Sequence, residues 1–506
     1  MGILAPVDWF LNRITMYRLV FYGLIGLLAI AAVFGYLGIL PYSPLSIAYS
    51  VALITGVAYV TNVLFAKVFS AAPNVESVYI SSFILALIIT PVAPADFAHA
   101  PFLVWAAIWA MASKYMFALG RRHIFNPAAF AVALTALTIS GNATWWIGGN
   151  LPLLPFVALV GFLILRKVQR FELVGVFAAT AFVSTLFTSG GDIVSVCQTM
   201  LLRTPLIFFA SVMLTEPLTL PAGRTRRLLY GAFVGILFAP AMHIGTLYST
   251  PELALLAGNV FSYAINPTRR HLLRLLRIEK QGTGIYDFVF APDVPLRFRP
   301  GQYMEWTLPH KGADGRGNRR YFTLASSPTE REVRLGVKFY EKPSSFKKTL
   351  LGMAPGDTMS VSHIAGDFVL PKDAARPLVF IAGGIGVTPF RSMLKRLVDR
   401  QEKRDIVMFY SNKTDDEIAY RDVFDDARRM LGIKTVYALT GAGAVTYGPY
   451  AGKVNPDLIA AEAPHWREAT FYLSGPRSMV LSFQRTLALM GVPESRIKSD
   501  FFPGFA

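Results

Sequence analysis

Ten apolar runs crowd the first 265 residues of this chain, more than the interior of a water-soluble domain of that length absorbs. They cover 18 to 39, 46 to 66, 77 to 92, 98 to 113, 126 to 140, 151 to 165, 171 to 187, 194 to 214, 228 to 247 and 252 to 265. A bilayer's hydrocarbon core is crossed by about 20 apolar residues in a helix, or by fewer where the helix is short or broken. The sequence therefore predicts a polytopic α-helical membrane domain over 1–268 with ten spans. The first run is long and no small-residue cleavage site follows it, so it reads as a span and not as a removed signal peptide. Beyond residue 268 the texture changes to that of a charged α/β protein. Strand patterning there predicts a small antiparallel barrel over 269–373, followed by a parallel α/β domain over 374–506.

Charge placement orients the spans. Of the 49 Lys and Arg and the 32 Asp and Glu, only 13 and 7 precede residue 266. With a cytoplasmic N-terminus, one side of the membrane receives Arg13, Arg18, Lys67, Lys114, Arg121, Arg122, Arg166, Lys167, Arg170, Arg224, Arg226 and Arg227. The opposite loops hold Asp96, Asp192 and Glu252 and no Lys or Arg, which is the asymmetry of cytoplasmic against external loops. Ten spans return the C-terminal half to the cytoplasm at an inner (plasma) membrane. The net charge of +17, in a chain whose mean hydropathy is +0.44, thus reflects loops beside lipid and not a nucleic-acid partner.

Redox chemistry is narrowed by what the chain lacks. The single cysteine, Cys197, sits in an apolar run, so the chain can form neither an internal disulfide nor a cysteine-ligated iron–sulfur cluster. Haem requires axial histidines facing one another across helices, and the apolar runs offer only His99 and His243. No metal site is expected. Arg203 falls inside the eighth run, where a central cation costs at least about 2.5 kcal/mol. It needs a partner there, either on a ligand or in the protein.

A weak internal repeat organises the membrane half. Thr90-Pro91 ends the third run and Asn126-Pro127 opens the fifth, the prolines 36 positions apart. Thr215-Glu216-Pro217 ends the eighth and Thr250-Pro251 opens the tenth, the prolines 34 positions apart. Five spans separate the copies, which predicts an inverted repeat with interrupted helices near its pseudo-twofold axis.

The stretch from Arg122 to Phe130 (RHIFNPAAF), followed by Met213-Leu214-Thr215-Glu216-Pro217-Leu218-Thr219, resembles the NqrB/RnfD family over residues 20 to 268. That family comprises membrane subunits of the sodium-pumping quinone reductase and of the Rnf complex. The resemblance implies ten helices in two inverted halves and a flavin held in the membrane, with Asn126, Arg203, Thr215 and Glu216 as its candidate contacts. Two departures stand out. The family's Ser-Gly-Ala-Thr attachment motif has no contiguous copy, its nearest equivalent being Ser140-Gly141-Asn142-Ala143-Thr144, and Glu216 replaces the usual Asp. Noncovalent FMN or riboflavin is therefore expected in place of a phosphoester-linked one.

In the C-terminal half, Tyr286 to Phe290 and Val333 to Val337 alternate as strands, and Pro300-Gly301-Gln302 reads as a turn. A continuous apolar strand from Leu378 to Ala382 then meets a glycine turn and a helix from Pro389, the signature of a βα unit in a parallel sheet. Further strands are predicted at Ile406 to Tyr410, Lys434 to Ala438 and Thr470 to Leu473. Arg320-Tyr321-Phe322-Thr323 with Ser326, then Pro343 to Lys347, Gly366-Asp367-Phe368 and Gly383-Gly384-Ile385-Gly386-Val387-Thr388-Pro389, resemble the ferredoxin-NADP reductase family over residues 274 to 506.

By that resemblance Arg320 neutralises the FAD pyrophosphate, Phe322 and Thr323 contact the isoalloxazine, and Ser344 with Ser345 approaches the phosphates. Gly383, Gly384, Gly386 and Thr388 form the nicotinamide-nucleotide turn, where small residues permit close phosphate approach. Tyr410, Ser411 and Asn412 meet the adenosine end. Ser474-Gly475-Pro476 stands where many relatives carry Cys-Gly-Pro, which makes Ser474 a candidate for hydride-transfer geometry beside Thr323. Phe502, in the aromatic stretch Phe501 to Phe505, either covers the flavin until nicotinamide displaces it or packs as a tail on the core. Lys413 suits the 2′-phosphate of NADPH or simply solvent.

The two halves together imply a membrane flavoprotein that takes hydride from NAD(P)H onto cytoplasmic FAD. Electrons would pass to a second flavin and on to quinone or to an extracytoplasmic flavoprotein. Without a ferredoxin-type cluster, the step between flavins must be direct or bridged by a soluble partner. The alternative is a membrane channel or carrier, for a flavin or a small solute, with a redox-sensing reductase domain.

Overall fold

A computed structural model describes residues 5–12, 14–69, 75–119, 122–139, 141–221, 223–265, 270–312, 314, 318–441 and 450–501. The chain divides near residue 269 into two compact units, Met1–Arg269 and Arg270–Ala506.

In the N-terminal unit a short helix α1 (Ala5–Asn12) precedes a helix at each of the ten apolar runs. They are α2 (Met16–Tyr36), α3 (Pro44–Val68), α4 (Val75–Ile88), α5 (Ala100–Met116), α6 (Pro127–Thr138), α7 (Leu154–Val168), α8 (Phe171–Ser189), α9 (Ile193–Arg203) continued by α10 (Leu206–Phe208), α11 (Arg224–Leu237) and α12 (Pro251–Ile265). Among them α2, α3 and α8 are long and apolar enough to cross a bilayer alone, and the α9–α10 pair is a fourth if its bent halves count as one.

The eighth run is not the continuous helix its composition suggests. It bends by 69° between Arg203 and Leu206, because Pro205 lacks an N–H and its ring clashes with the preceding turn. Beyond the bend, Phe209–Met213 widens into a π-helix. The ninth run also ends early, at Leu237, and its remainder forms a small hairpin of β3 (His243–Ile244) and β4 (Leu247–Tyr248). A similar hairpin, β1 (Ala118–Leu119) with β2 (Arg122–His123), separates α5 from α6.

Helix packing repeats at a five-helix interval. α3 packs on α5 as α8 does on α11, α5 on α6 as α11 on α12, and α2 on α4 as α7 on α10, while α2–α7 and α6–α12 join the halves. Close approach needs small residues: a Cβ on Gly235 of α11 would lie 2.0 Å from Thr180 Oγ1 and 2.5 Å from the Phe177 carbonyl of α8.

The C-terminal unit opens with a six-stranded antiparallel sheet, β5 (His271–Gly282), β6 (Ile285–Pro292), β7 (Tyr303–Thr307), β8 (Arg319–Thr323), β9 (Val333–Lys338) and β10 (Thr358–Ala365), in the order β8-β7-β10-β5-β6-β9. Helix α13 (Ser345–Leu351) lies between β9 and β10 in sequence. Its Phe346 and Leu350 complete a core with Phe288, Phe290, Trp306 and Leu335.

A parallel sheet follows, with β11 (Leu378–Gly383), α14 (Thr388–Arg400), β12 (Ile406–Asn412), α15 (Arg421–Leu431), β13 (Lys434–Leu439), β14 (Tyr450–Ala451), α16 (Pro456–Glu462), β15 (Thr470–Gly475), α17 (Arg477–Leu489) and β16 (Ile497–Phe501). Its order is β14-β13-β12-β11-β15-β16. The chain runs outward from β11 on one side and returns to pair β15 on the other. That reversal is the topological switch point, beyond whose strand ends open α/β sheets bind ligands.

The two sheets are tied by buried charge. Arg391 of α14 donates to the Ala325 carbonyl at 3.0 Å and makes two bonds to Glu330, while Ser392 Oγ donates to the Ser326 carbonyl at 2.6 Å. Asp287 of β6, fully buried, accepts from Arg334 of β9 and from the Tyr420 hydroxyl. Removing one partner of a buried pair leaves an uncompensated charge, at about 3–5 kcal/mol. Glu330→Ala is therefore expected to lower the unfolding free energy of the C-terminal unit by about 3 kcal/mol or more, measured by denaturant titration. A loss below about 1 kcal/mol, the range of an exposed pair, would contradict this account of the seam.

Candidate functional site

Two strand ends flank the switch point. After β11 comes the turn Gly383 to Val387, leading into α14 with Thr388 and Pro389 in its first turn. After β15 come Gly475 and the exposed Pro476. Their approach needs glycine: a Cβ on Gly386 would lie 2.5 Å from Gly475 Cα and 2.6 Å from the Ser474 carbonyl, and one on Gly383 would lie 2.3 Å from Met479 Sδ. Gly384 takes φ +51°, a backbone that glycine adopts without strain. Thr388 is buried and its hydroxyl donates to the Ile385 carbonyl at 3.3 Å. The result is a turn packed closely against the end of β15, with small residues on both sides.

Tyr410, Ser411 and Asn412 end β12 beside this turn, in register with Ala382 and Gly383 of β11 for the first two. Tyr410 is buried and its hydroxyl accepts from the Ala419 N–H at 3.2 Å, so loss of hydration holds the phenol protonated. Asn412 anchors the next loop, its carbonyl accepting from both the N–H and the hydroxyl of Thr440. Lys413 is exposed.

On the antiparallel sheet β8 carries the Arg-Tyr-Phe-Thr run. Arg320 holds its guanidinium 5.2 Å from the Phe346 ring centre, Nη1 donating to the Arg319 carbonyl at 2.7 Å and Nη2 to Asp314 Oδ1 at 3.2 Å. Tyr321 donates to Glu305 at 2.9 Å and stands edge-on to Tyr303. Phe322 packs against Phe346, and Thr323 is buried. Ser326 lies deeper, its hydroxyl accepting from the Arg334 N–H at 3.2 Å. Ser344 caps α13 through the Lys347 N–H, and Ser345 bonds Asp314 and His310.

Ser474 is fully buried, and its hydroxyl has no partner among the described residues. A buried hydroxyl without a partner is uncommon in a folded protein. Ser474 is in register with Asp500 of β16, and registered positions on adjacent strands share a face. Asp500 in turn lies 3.5 Å from Thr323 Oγ1. The sequence reading missed Asp500, for 177 positions separate it from Thr323. Phe502 lies outside the described residues.

In the N-terminal unit, Asn126 and Glu216 meet. Asn126 caps α6 through the Ala128 and Ala129 N–H groups while its Nδ2 donates to Glu216 Oε2 at 2.8 Å. Asn259 of α12 accepts from the Asn126 N–H at 2.7 Å, and His123 Nε2 lies 3.5 Å from Glu216 Oε1. Thr215 is buried and satisfied by the Ser211 carbonyl. Arg203 instead ends α9 with its side chain exposed. Thr144 accepts from the Thr90 hydroxyl at 3.0 Å. The carbonyls ending α4 are capped by the same loop: Trp145 N–H to Ile88, Ile147 N–H to Leu87 and the Trp146 indole to Ala86.

Residues 380–485 match the oxidoreductase NAD-binding domain. The chain is 32% identical over 235 residues to the flavohemoprotein of Pseudomonas putida, covering 45% of this chain and 58% of that protein. It is 25% identical over 240 residues to flavohemoprotein A of Dictyostelium discoideum, covering 44% and 58%. Among solved structures, the FAD/NAD-binding domain of nitric oxide dioxygenase from Vibrio cholerae aligns at 22% identity and a TM-score of 0.42, over 46% of this chain and 98% of that one. This chain spans a little over half the length of the curated relatives it matches. With the two sheets, the sequence matches support the C-terminal unit as an NAD(P)H-dependent flavin oxidoreductase domain.

Loss of hydration pushes the Asp500 carboxyl up to about 6, against the lowering effect of the Thr323 hydroxyl. Folding thus favours its protonated form. The stabilising contribution is fully present below the unfolded carboxyl range near 4 and is lost as pH rises through about 6. Asp500→Asn is expected to raise the melting temperature at pH 7.5 and to leave it nearly unchanged at pH 4. Equal shifts at both values would contradict this assignment.

Proposed function

We propose that this chain is a membrane flavoprotein that takes hydride from NAD(P)H onto FAD in its C-terminal unit and passes electrons to a second, noncovalent flavin in its N-terminal unit. The proposed onward acceptor is quinone or an extracytoplasmic flavoprotein. The observation that carries the reading is the seam of α14, whose first turn follows the glycine turn and whose Arg391 and Ser392 bond the residues just after β8.

The residues present suit FAD. Arg320 and the Ser345 N–H supply a cation and a donor for its diphosphate, and Phe322 and Thr323 border its ring system. The turn of Gly383, Gly384, Gly386 and Thr388 admits the nicotinamide nucleotide, with its adenosine end toward Tyr410, Ser411 and Asn412. Bound FAD accepts a hydride and releases electrons singly. Ser474 offers its free hydroxyl at the reacting end, and Asp500 holds a proton on its carboxyl beside Thr323 below pH of about 6.

For the membrane, the reading is ten crossings in two inverted halves, reductase inside. A helix at every apolar run, the one-sided basic loops and the five-helix packing repeat support it. Asn126 and Glu216 are the proposed contacts of FMN or riboflavin, since both are polar groups at interrupted helices. The broken α9–α10 pair also suits a carrier.

Purified full-length chain is expected to hold two flavins, one of them FAD. Arg320→Gln, removing a charge-assisted bond of about 1.5–3 kcal/mol, should weaken FAD binding at least about tenfold and abolish NAD(P)H oxidation while the second flavin stays. A single flavin in the wild type, with solute flux independent of NAD(P)H, would instead support the carrier.

A further inference from the structure

Both donors assigned above to the FAD diphosphate are also engaged by the chain's own carboxylate. Asp314, in the loop between β7 and β8, accepts from Arg320 Nη2 through Oδ1 at 3.2 Å and from the Ser345 N–H through Oδ2 at 3.1 Å. Its own N–H donates to Ser345 Oγ at 2.9 Å, and that oxygen lies 3.0 Å from His310 Nε2. The Arg319 carbonyl and the Phe346 ring also contact the Arg320 guanidinium and help to orient it.

A carboxylate and a phosphate offer the same pair of acceptor oxygens to a guanidinium fork. Two anions cannot share one fork and one N–H without repulsion. We propose that Asp314 is a built-in competitor for the flavin diphosphate: either its carboxylate or the diphosphate occupies Arg320 and Ser345, and flavin loads as the carboxylate withdraws. The proposal rests on the reading of those two residues as the diphosphate site.

Two consequences follow from the competition. Apparent FAD affinity is reduced by the fraction of chain in which the site is open. In exchange, the carboxylate adds a charge partner to Arg320, a cation only 14% exposed.

The test strips flavin from the purified full-length chain and follows FAD binding by flavin fluorescence in the wild type, Asp314→Asn, Asp314→Ser and Asp314→Glu. The two neutral variants are expected to bind FAD on the order of tenfold tighter, the gain lying in the association rate. Their flavin-free forms should melt below the wild type, while the FAD-loaded forms melt alike. Asp314→Glu, which keeps the carboxylate, should stay near the wild type. Neutral variants with unchanged affinity and association rate would overturn the competition. A wild-type chain that binds no FAD, or Arg320→Gln binding it undiminished, would overturn the underlying site reading instead.

Discussion

The chemistry of the C-terminal unit depends on one guanidinium. Arg391 leaves the first turn of α14 and reaches across to the Ala325 carbonyl and to Glu330, with the Tyr420 ring 5.6 Å from its centre. Because α14 begins at the glycine turn and Ala325 follows β8 by two residues, this contact sets the glycine turn against the strand that carries Arg320 and Thr323. Hydride transfer tolerates little slack between its partners, since misplacement by about 1 Å costs on the order of a hundredfold in rate. A buried ion pair is a poor source of net stability but a strict determinant of geometry when its partners are fixed. Asp287, Arg334 and Tyr420 repeat the device on the other side of the same seam.

The N-terminal unit solves a different problem, that of placing polar backbone inside an apolar unit. Helix α4 stops at Ile88, and its last carbonyls would be left without donors. The loop at Trp145 to Ile147 supplies two N–H groups and an indole. At the corresponding break before Pro217, the Met213 carbonyl accepts from the Glu216 N–H, and the Glu216 carboxylate accepts from the Asn126 amide. Such breaks persist only where protein or a cavity satisfies them, which is why they are natural sites for a polar ligand. On the proposed function, joining this unit to a reductase in one chain would make the encounter between electron donor and acceptor intramolecular.

Much of this was legible in the residues. Every apolar run became a helix, the strand predicted at Ile406 to Tyr410 is β12, and the glycine turn falls between β11 and α14. Period and turn chemistry are local, so the sequence carries them openly. The bend at Pro205 was legible in principle, but a mean-hydropathy reading passes over a single proline. The hairpin after α11 begins in a run whose apolar character hides the change from helix to strand, and the one after α5 is only two residues per strand. Asp500 and Asp314 were not legible: their roles come from the register of β16 and from the contact of Asp314 with Ser345 at the start of α13, which are properties of the tertiary fold. Arg203 was placed in a continuous span that the break at Pro205 ends.

The central claim is that electrons entering at the C-terminal unit reach the N-terminal one within a single chain. The most direct test is anaerobic stopped-flow reduction of the purified full-length protein by NADH and by NADPH, followed at flavin wavelengths. The account predicts two bleaching phases, a fast one for FAD and a slower one for the second flavin, with both lost in Arg320→Gln while the second flavin stays bound and oxidised. A single phase accounting for all the flavin present would contradict it.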